Sequence, residues 1–141
     1  AAGPDMNARA ARHITEIKAG RKVSSDIFLG SQSHQALLYR LSGDKNPLHC
    51  DPDFAKGGGF DLPIIHGLCS YGIACKAVVD HALKGDTTQV TRYQARFAGV
   101  GFPGETYLVS YWKQGNTYLI QAKSKERDAI ILANAAITVR G

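Results

Sequence analysis

The stretch I-I-H-G-L-C-S-Y-G-I-A-C-K-A-V-V-D-H-A-L, residues 64–83, is apolar around almost the whole circumference of a helix. A helix with so little polar surface must be enclosed by other elements. Small residues recur along it and permit the close approach of a covering sheet or a second chain, namely Gly67, Ser70, Gly72, Ala74 and Ala77. We therefore expect one enclosed central helix, and a packing reason for the mid-helix glycine at position 72.

Four β-like segments follow this helix, and all are rich in Val, Ile, Tyr, Thr and Phe with period-two stretches. They cover residues 89–100, 105–113, 117–125 and 129–139. Gly115-Asn116 and residues 126–128 supply turn residues, so the last three segments are expected to form an antiparallel meander. The predicted fold class is α+β, with a long central helix wrapped by an antiparallel sheet.

Two short helices are expected before the central one. Ser33 can cap a helix that runs to Arg40 and ends at Gly43. Its predicted apolar side consists of Leu37, Leu38 and Leu41. Asp51-Pro52 has the sequence of a cap and first helical residue, and the glycines 57–59 close that helix after Lys56.

Residues 39–49 read Y-R-L-S-G-D-K-N-P-L-H and form a turn-rich loop. Gly43 and Pro47 interrupt regular structure, so irregular backbone must display Asp44, Asn46 and His49. Catalytic groups need such display. Taken alone, a Gly-Asp-x-Asn-Pro string is more often only a turn, because Asp and Asn bond their own backbone there.

Composition narrows the setting. The 141 residues fit one domain, and 44% hydrophobic with 21% charged residues is ordinary for a globular protein. The net charge of +5 comes from scattered Lys and Arg without aromatic interleaving, which argues against nucleic acid. A polyphosphate ligand such as coenzyme A would use the same positive field. The chain has an odd number of cysteines without metal-ligand spacing, so neither a disulfide framework nor a zinc site is indicated. They are Cys50, Cys69 and Cys75. We expect no membrane span and no signal peptide.

Several motifs occur together in this chain. They are S-G-D-K-N-P-L-H at 42–49 with Tyr39 before it, D-P-D-F-A at 51–55, P-I-I-H-G-L-C at 63–69, Q-A-R-F-A at 94–98, F-P-G at 102–104 and W-K-Q-G-N at 112–116. In these motifs the chain resembles the MaoC-like (R)-specific enoyl-CoA hydratases, including the hydratase 2 unit of peroxisomal multifunctional enzymes. The resemblance covers about residues 24–139 and implies a hot-dog fold.

In eukaryotic hydratase 2 proteins two hot-dog halves lie on one chain, and the motif belongs to the second half. The resemblance therefore implies that residues 24–141 form one MaoC-like hot-dog domain and residues 1–23 a tail or interhalf linker. The implied partner is another hot-dog unit, either a missing first half or a second copy in a homodimer. A stand-alone single hot dog stays an alternative.

Hydration of an enoyl thioester needs an activated water, a proton for C2 and stabilisation of charge on the thioester oxygen. Asp44 and His49, five residues apart across an Asn-Pro turn, can converge on one water. By resemblance, Asp44 orients and helps to deprotonate the water, His49 shares it or donates the proton, and Asn46 fixes the geometry. The resemblance also assigns Gly67 to the oxyanion hole and Phe97 to the substrate site.

Other candidates receive plainer interpretations. His66 is predicted to be a structural histidine at the helix start, and Tyr39 to pack under the loop. Cys50 lacks an activating element for a thiol nucleophile. A metal site of His49, Asp51 and His66 is set aside because their spacing promises no convergence. The cations of Arg92, Arg96 and Lys113 can meet coenzyme A phosphates or simply face solvent.

The predicted function is reversible addition of water to a trans-2-enoyl-CoA, giving a (3R)-3-hydroxyacyl-CoA in fatty-acid β-oxidation, with no cofactor and no metal. The alternatives are a hot-dog acyl-CoA thioesterase and a non-catalytic acyl-CoA-binding half-domain. The resemblance implies a peroxisomal location for a eukaryotic chain and a cytoplasmic one otherwise. The ending T-V-R-G lacks a Ser-Lys-Leu-like peroxisomal address, so that location would need a signal elsewhere in a longer parent.

Overall fold

A five-stranded antiparallel sheet packs against one long helix in the computed structural model, which describes residues 25–141. The predicted tail of residues 1–23 lies outside the described residues. The helices are α1 (Gln35–Tyr39), α2 (Pro52–Gly57) and α3 (Gly67–Ala82). The strands are β1 (Ser25–Gly30), β2 (Val90–Phe97), β3 (Thr106–Gln114), β4 (Thr117–Ser124) and β5 (Ala129–Val139), in the sheet order β1-β3-β4-β5-β2.

The predicted central helix is present, but it begins at Gly67, and Ile64 and Ile65 lie before it outside any helix or strand. The amide of Ile65 donates to the carbonyl of Gly101, which ties the segment before the helix to the loop after β2. The buried side of α3 packs on the inner face of the sheet and consists of Cys69, Ser70, Ala74, Ala77, Val78 and Val79.

The expectation of full enclosure is wrong for the described chain. Leu68 is 62% exposed and Gly72 is also exposed, so one side of α3 faces away from the sheet. A side chain at Gly72 would meet nothing within 4 Å among the described residues, and these residues therefore supply no packing reason for that glycine. A single sheet can cover only one side of a helix, which explains the difference.

The four predicted strands are confirmed, and β3, β4 and β5 form the expected meander. Gln114 pairs with Thr117 across the two-residue turn Gly115-Asn116, where Gly115 has a φ of +62°. The first predicted segment is too long, since β2 ends at Phe97. Beyond it the amides of Ala98 and Gly99 both donate to the carbonyl of Ile131.

One strand was missed. The edge strand β1, residues 25–30, pairs with β3 from Ser25↔Tyr111 to Gly30↔Thr106. Its six residues are too short for a clear alternating pattern, and only the neighbouring strand reveals it.

The short helices confirm part of the prediction. Asp51 caps α2 by accepting from the amides of Asp53 and Phe54, and Pro52 is its first residue. In α1 the predicted cap is wrong, because His34 occupies the N-cap position and makes no side-chain cap bond. The predicted apolar side is also wrong: Ala36 is buried, whereas Leu37, Leu38 and Leu41 are each more than half exposed. A 3-10 turn extends α1 to Ser42, and Gly43 ends it with a φ of +115°.

Candidate active site

The loop between α1 and α2 holds its polar side chains through bonds to its own backbone. The carboxylate of Asp44 accepts from the amide of Asn46 at 3.2 Å. The side-chain oxygen of Asn46 accepts in turn from the amide of Leu48 at 3.0 Å and caps the 3-10 turn Pro47–His49. Asn46 therefore links the Asp44 carboxylate to the turn that carries His49, and its supporting role in catalysis stays a prediction.

His49 is held in one tautomer by a contact outside the loop. Its Nδ1 lies 2.7 Å from the carbonyl oxygen of Ile64, just before α3. A carbonyl can only accept, so Nδ1 carries the hydrogen and Nε2 bears the lone pair of the neutral ring. A histidine in this state can take a proton from a water at Nε2.

His66 lies beneath His49 and is almost fully buried, with 1% exposure. Its Nε2–H donates to the backbone carbonyl of Asp44 at 3.1 Å, and its ring stacks on that of His49 with centroids 3.7 Å apart. The ring of Tyr39 packs on its side at 4.6 Å. Burial lowers the pKa of His66, and the bond to the Asp44 carbonyl only partly opposes this, so the ring is neutral near pH 7.

Asp44, His49 and His66 converge, with one side-chain oxygen or nitrogen of each lying within 4.8 Å of the others. The metal hypothesis of the sequence involved Asp51, which instead caps α2. The stacked rings of His49 and His66 lie in planes only 25° apart. The lone pair of each ring lies in its ring plane, and two stacked, nearly parallel planes do not meet at a point about 2 Å from a nitrogen of each, as a shared ion would need. This geometry favours proton chemistry over metal binding.

Gly67 and Phe97 are neighbours at the start of α3. A Cβ at Gly67 would lie 3.3 Å from the Phe97 ring, and that ring is 52% exposed at the end of β2. Gly67 is the first residue of α3, where amides lack intrahelical acceptors, and His66 gives no side-chain cap. The exposed amide of Gly67 can therefore receive a negatively charged oxygen.

A cleft of about 270 Å³ opens beside His49. Its walls are mainly apolar and come from α1, from residues 62–63 and from the loop after β2. They include Leu37, Leu62, Phe102 and Pro103. Such a cleft suits the apolar part of a small ligand. Among the predicted site residues His49 lines it, whereas Asp44, Gly67 and Phe97 do not.

The remaining candidates lie apart from this cluster or lack activation. Cys50, Cys69 and Cys75 are free thiols, and burial raises the pKa of Cys69 and Cys75. Arg92 and Arg96 are exposed on β2, and Lys113 lies over the ring of Tyr118. Their role toward coenzyme A phosphates stays a prediction.

Arg127 was missed by sequence reasoning, which assigned it only to a turn. Its guanidinium pairs with Glu105, donates to the carbonyl of Val100 at 2.7 Å and lies over the ring of Phe102. These contacts hold the loop after β2, which lines the cleft and accepts the amide of Ile65. The opposite charges of Glu105 and Arg127 are visible in the sequence, but their proximity depends on the pairing of β3 with β4.

Comparison with known proteins decides the family. The family model described as MaoC like domain matches residues 2–135. The chain belongs to the MaoC-like family. It is 53% identical over 104 residues to enoyl-CoA hydratase ChsH3 of Mycobacterium tuberculosis, covering 73% of this chain and 36% of that protein. It is 50% identical over 111 residues to peroxisomal enoyl-CoA hydratase 2 of Arabidopsis thaliana, covering 79% of this chain and 36% of that protein.

A solved structure agrees with these relatives. Full-length peroxisomal multifunctional enzyme type 2 of Drosophila melanogaster matches with a TM-score of 0.83 and 35% identity, over 86% of this chain and 23% of that one. The predicted hot-dog fold is thereby confirmed. The chain spans only about a third of the length of the two curated hydratases it matches. No helix of the described residues has both the length and the apolar character to cross a membrane.

Proposed function

We propose that this chain is an (R)-specific 2-enoyl-CoA hydratase unit, which adds water reversibly to a trans-2-enoyl-CoA and gives a (3R)-3-hydroxyacyl-CoA. The observation that carries the proposal is the convergence of the Asp44 carboxylate with His49, whose Nε2 bears the lone pair, beside the start of α3. Membership of the MaoC-like family supports the same reaction.

A water bound between Asp44 and His49 begins the reaction. The carboxylate of Asp44 accepts one hydrogen of this water and orients it, while Nε2 of His49 removes the other as the water oxygen bonds to C3. The π electrons of the C2=C3 bond move toward the thioester oxygen. The proton on Nε2 then passes to C2 on the same face, which restores His49 and completes a syn addition.

The charge that develops on the thioester oxygen needs a donor that is already in place. The amide of Gly67 has that position at the first turn of α3, where the helix dipole adds to its effect. Phe97 packs beside it and forms a wall of the substrate site. No step of this scheme requires a cofactor or a metal, and coenzyme A is part of the substrate.

The metabolic setting follows from the same proposal. Relatives of this chain include a peroxisomal enoyl-CoA hydratase 2 and peroxisomal multifunctional enzymes, which supports a role in fatty-acid β-oxidation. A eukaryotic chain of this kind would act in the peroxisome, and a bacterial one in the cytoplasm.

A second hot-dog unit is proposed to complete the protein. In the described chain β2 pairs only with β5 and leaves its other edge open. The uncovered side of α3 exposes Leu68, and Phe97 is exposed at the end of β2. This apolar surface and open edge suit either a second copy or a preceding half of a longer polypeptide.

The first experiment measures the loss of enoyl-thioester absorbance when the chain is added to crotonyl-CoA and 2-decenoyl-CoA, with chiral analysis of the product. An (R)-3-hydroxyacyl-CoA is expected. An (S) product would contradict the proposal. Release of free coenzyme A thiol without hydration would instead identify the thioesterase alternative, in which a carboxylate activates water toward the thioester carbonyl.

Variants of the dyad test the assigned residues. Asp44→Asn and His49→Ala are each expected to lower kcat at least about 100-fold, the usual share of a positioned acid or base. Binding of a saturated acyl-CoA, measured by calorimetry, should survive because both groups act chiefly on the transition state.

The matched controls are Asp53→Asn and His81→Ala, exposed positions outside the cluster, which should retain wild-type rates. Full activity in either dyad variant would contradict the mechanism. Tight acyl-CoA binding by a wild-type chain that shows no turnover, even with a second hot-dog half added, would identify a binding module instead.

A further inference from the structure

His66 is the buried residue that joins the loop between α1 and α2, which carries Asp44 and His49, to α3. It occupies the N-cap position of that helix, but its side chain makes no cap bond. A serine or aspartate would stabilise the helix start better. The side chain points instead into the loop that carries Asp44 and His49. The residue at the N-cap position therefore contacts the loop and does not cap the helix.

Two contacts lead from His66 to the two groups of the dyad. Its Nε2–H donates to the backbone carbonyl of Asp44 at 3.1 Å. This bond fixes the backbone of Asp44, from which the carboxylate side chain extends. Its ring lies under His49 with centroids 3.7 Å apart and planes 25° apart. Because Nδ1 of His49 bonds the Ile64 carbonyl, the stack and this bond together define the direction of its Nε2.

The remaining nitrogen of His66 makes packing alone a poor explanation. Nδ1 is buried and has no hydrogen-bond partner among the described residues. An unpartnered buried nitrogen is unfavourable, and an apolar ring such as phenylalanine would fill the same space without that cost. The imidazole makes one contact that phenylalanine could not make, the bond from its Nε2–H to the Asp44 carbonyl.

We infer that His66 is a positioning residue that holds both members of the dyad in register with the Gly67 amide, through its bond to Asp44 and its stack on His49. The inference rests on the proposed hydratase function. His66 precedes Gly67 directly in the chain, so the water-activating groups and the oxyanion donor share one rigid anchor. A small displacement between such groups slows a reaction strongly, since catalysis depends on near-attack geometry.

Two substitutions separate the two contacts. His66→Phe keeps a ring under His49 but removes the donor to Asp44, whereas His66→Gln keeps an N–H donor but removes the stacked ring. Each is expected to lower kcat for crotonyl-CoA at least tenfold with KM within about twofold, in protein that is fully folded at the assay temperature. His81→Phe, in the last turn of α3, is the matched control and should retain the wild-type kcat.

A purely structural role predicts a different pattern, in which His66→Phe is as active as the wild type once folded. That result would overturn the inference, and so would a kcat within twofold of the wild type in His66→Gln. A KM that rises while kcat is unchanged would also overturn it, because positioning acts on the reacting geometry.

A measurement without turnover keeps the two proposals separable. Nitrogen-15 NMR of the wild-type histidines should show His66 as the Nε2–H tautomer and His49 as the Nδ1–H tautomer, with an exchange-protected Nδ1 proton. In His66→Gln that proton should exchange at least tenfold faster. The opposite tautomer of His66, or unchanged exchange, would contradict the inference even in an active hydratase. If the spectra are as expected but the chain does not hydrate enoyl-CoA, only the proposed function is contradicted.

Discussion

A methyl group at Gly67 would meet the Phe97 ring at 3.3 to 3.5 Å while leaving the backbone amide in place. Gly67 does not have a left-handed φ, so alanine fits the helix and favours it by up to about 1 kcal/mol. We expect Gly67→Ala to retain or raise the melting temperature and to lower kcat/KM at least about tenfold, because the methyl and the displaced ring obstruct the approach to the amide. Thermal unfolding and the hydration assay check the two expectations.

Gly57→Ala is the matched control for this substitution. Gly57 is the last residue of α2, has no left-handed φ and has open space around its Cβ position. That variant should leave kcat/KM unchanged. A Gly67→Ala enzyme with wild-type kcat/KM would remove Gly67 from the oxyanion hole, and a large loss of stability would show that Phe97 cannot move aside.

At single positions the sequence predicts which residue types form the site, but not their contacts. Asp44, Asn46 and His49 are predictable because Gly43 and Pro47 force an irregular loop around them. The stack of His66 on His49 is not, since it joins residues 17 positions apart and depends on where α3 begins. The tautomer of His49 likewise depends on the Ile64 carbonyl, which only the folded chain brings within 2.7 Å.

Among the elements, the segments with long periodic patterns were predictable, and those defined by their neighbours were not. The strands β3, β4 and β5 have turn residues at both connections, are each at least eight residues long and are rich in β-branched and aromatic residues. The strand β1 needs β3 beside it, and the exposure of Leu37 on α1 depends on what covers that helix. Local sequence contains neither fact.

The loop after β2 is an element that Arg127 holds in place. Glu105 accepts from the guanidinium of Arg127 and from the amide of Phe102. Burial by itself raises the pKa of Glu105, but these hydrogen bonds outweigh it and the pKa lies below its ordinary value. A lowered folded-state pKa means that the ionised pair stabilises the protein above the unfolded pKa of about 4.3, and that this stability is lost as the pH falls.

Arg127→Ala is therefore expected to lower the free energy of unfolding by about 1–3 kcal/mol at pH 7, as for loss of a charged hydrogen-bonding partner. Urea unfolding at pH 7 and at pH 3.5 should show a smaller difference from the wild type at the lower pH. Lys123→Ala is the control, because its ion pair with the 81%-exposed Asp128 lies in the same region. It should change the unfolding free energy by at most about 1 kcal/mol. Equal effects of both substitutions would contradict a specific clamp by Arg127.

On the scale of the whole molecule, the described residues enclose the helix α3 on one side only. The sheet buries one side of α3, and β2 ends the sheet with an unpaired edge. The side of α3 away from the sheet contains Gly72, where open space replaces the expected packing partner. The exposed side of α3 is apolar only near its start, because the ion pair of Lys76 and Asp80 lies further along it. An exposed apolar patch and an unpaired strand edge can both be covered by a second unit through a two-fold axis.

We expect the isolated chain to form a dimer through this surface, and Leu68→Asp to convert it to a monomer, because a carboxylate on a side chain now 62% exposed would be buried there. Light scattering coupled to size exclusion measures the change. Leu41→Asp is the matched control, since Leu41 is 83% exposed just before the loop between α1 and α2 and lies outside α3 and β2. It should leave the dimer intact. A dimer that Leu41→Asp splits and Leu68→Asp does not would move the interface away from α3. If the wild-type chain is a monomer and hydrates enoyl-CoA only when a first half is added, the active unit is a two-half enzyme and not a homodimer.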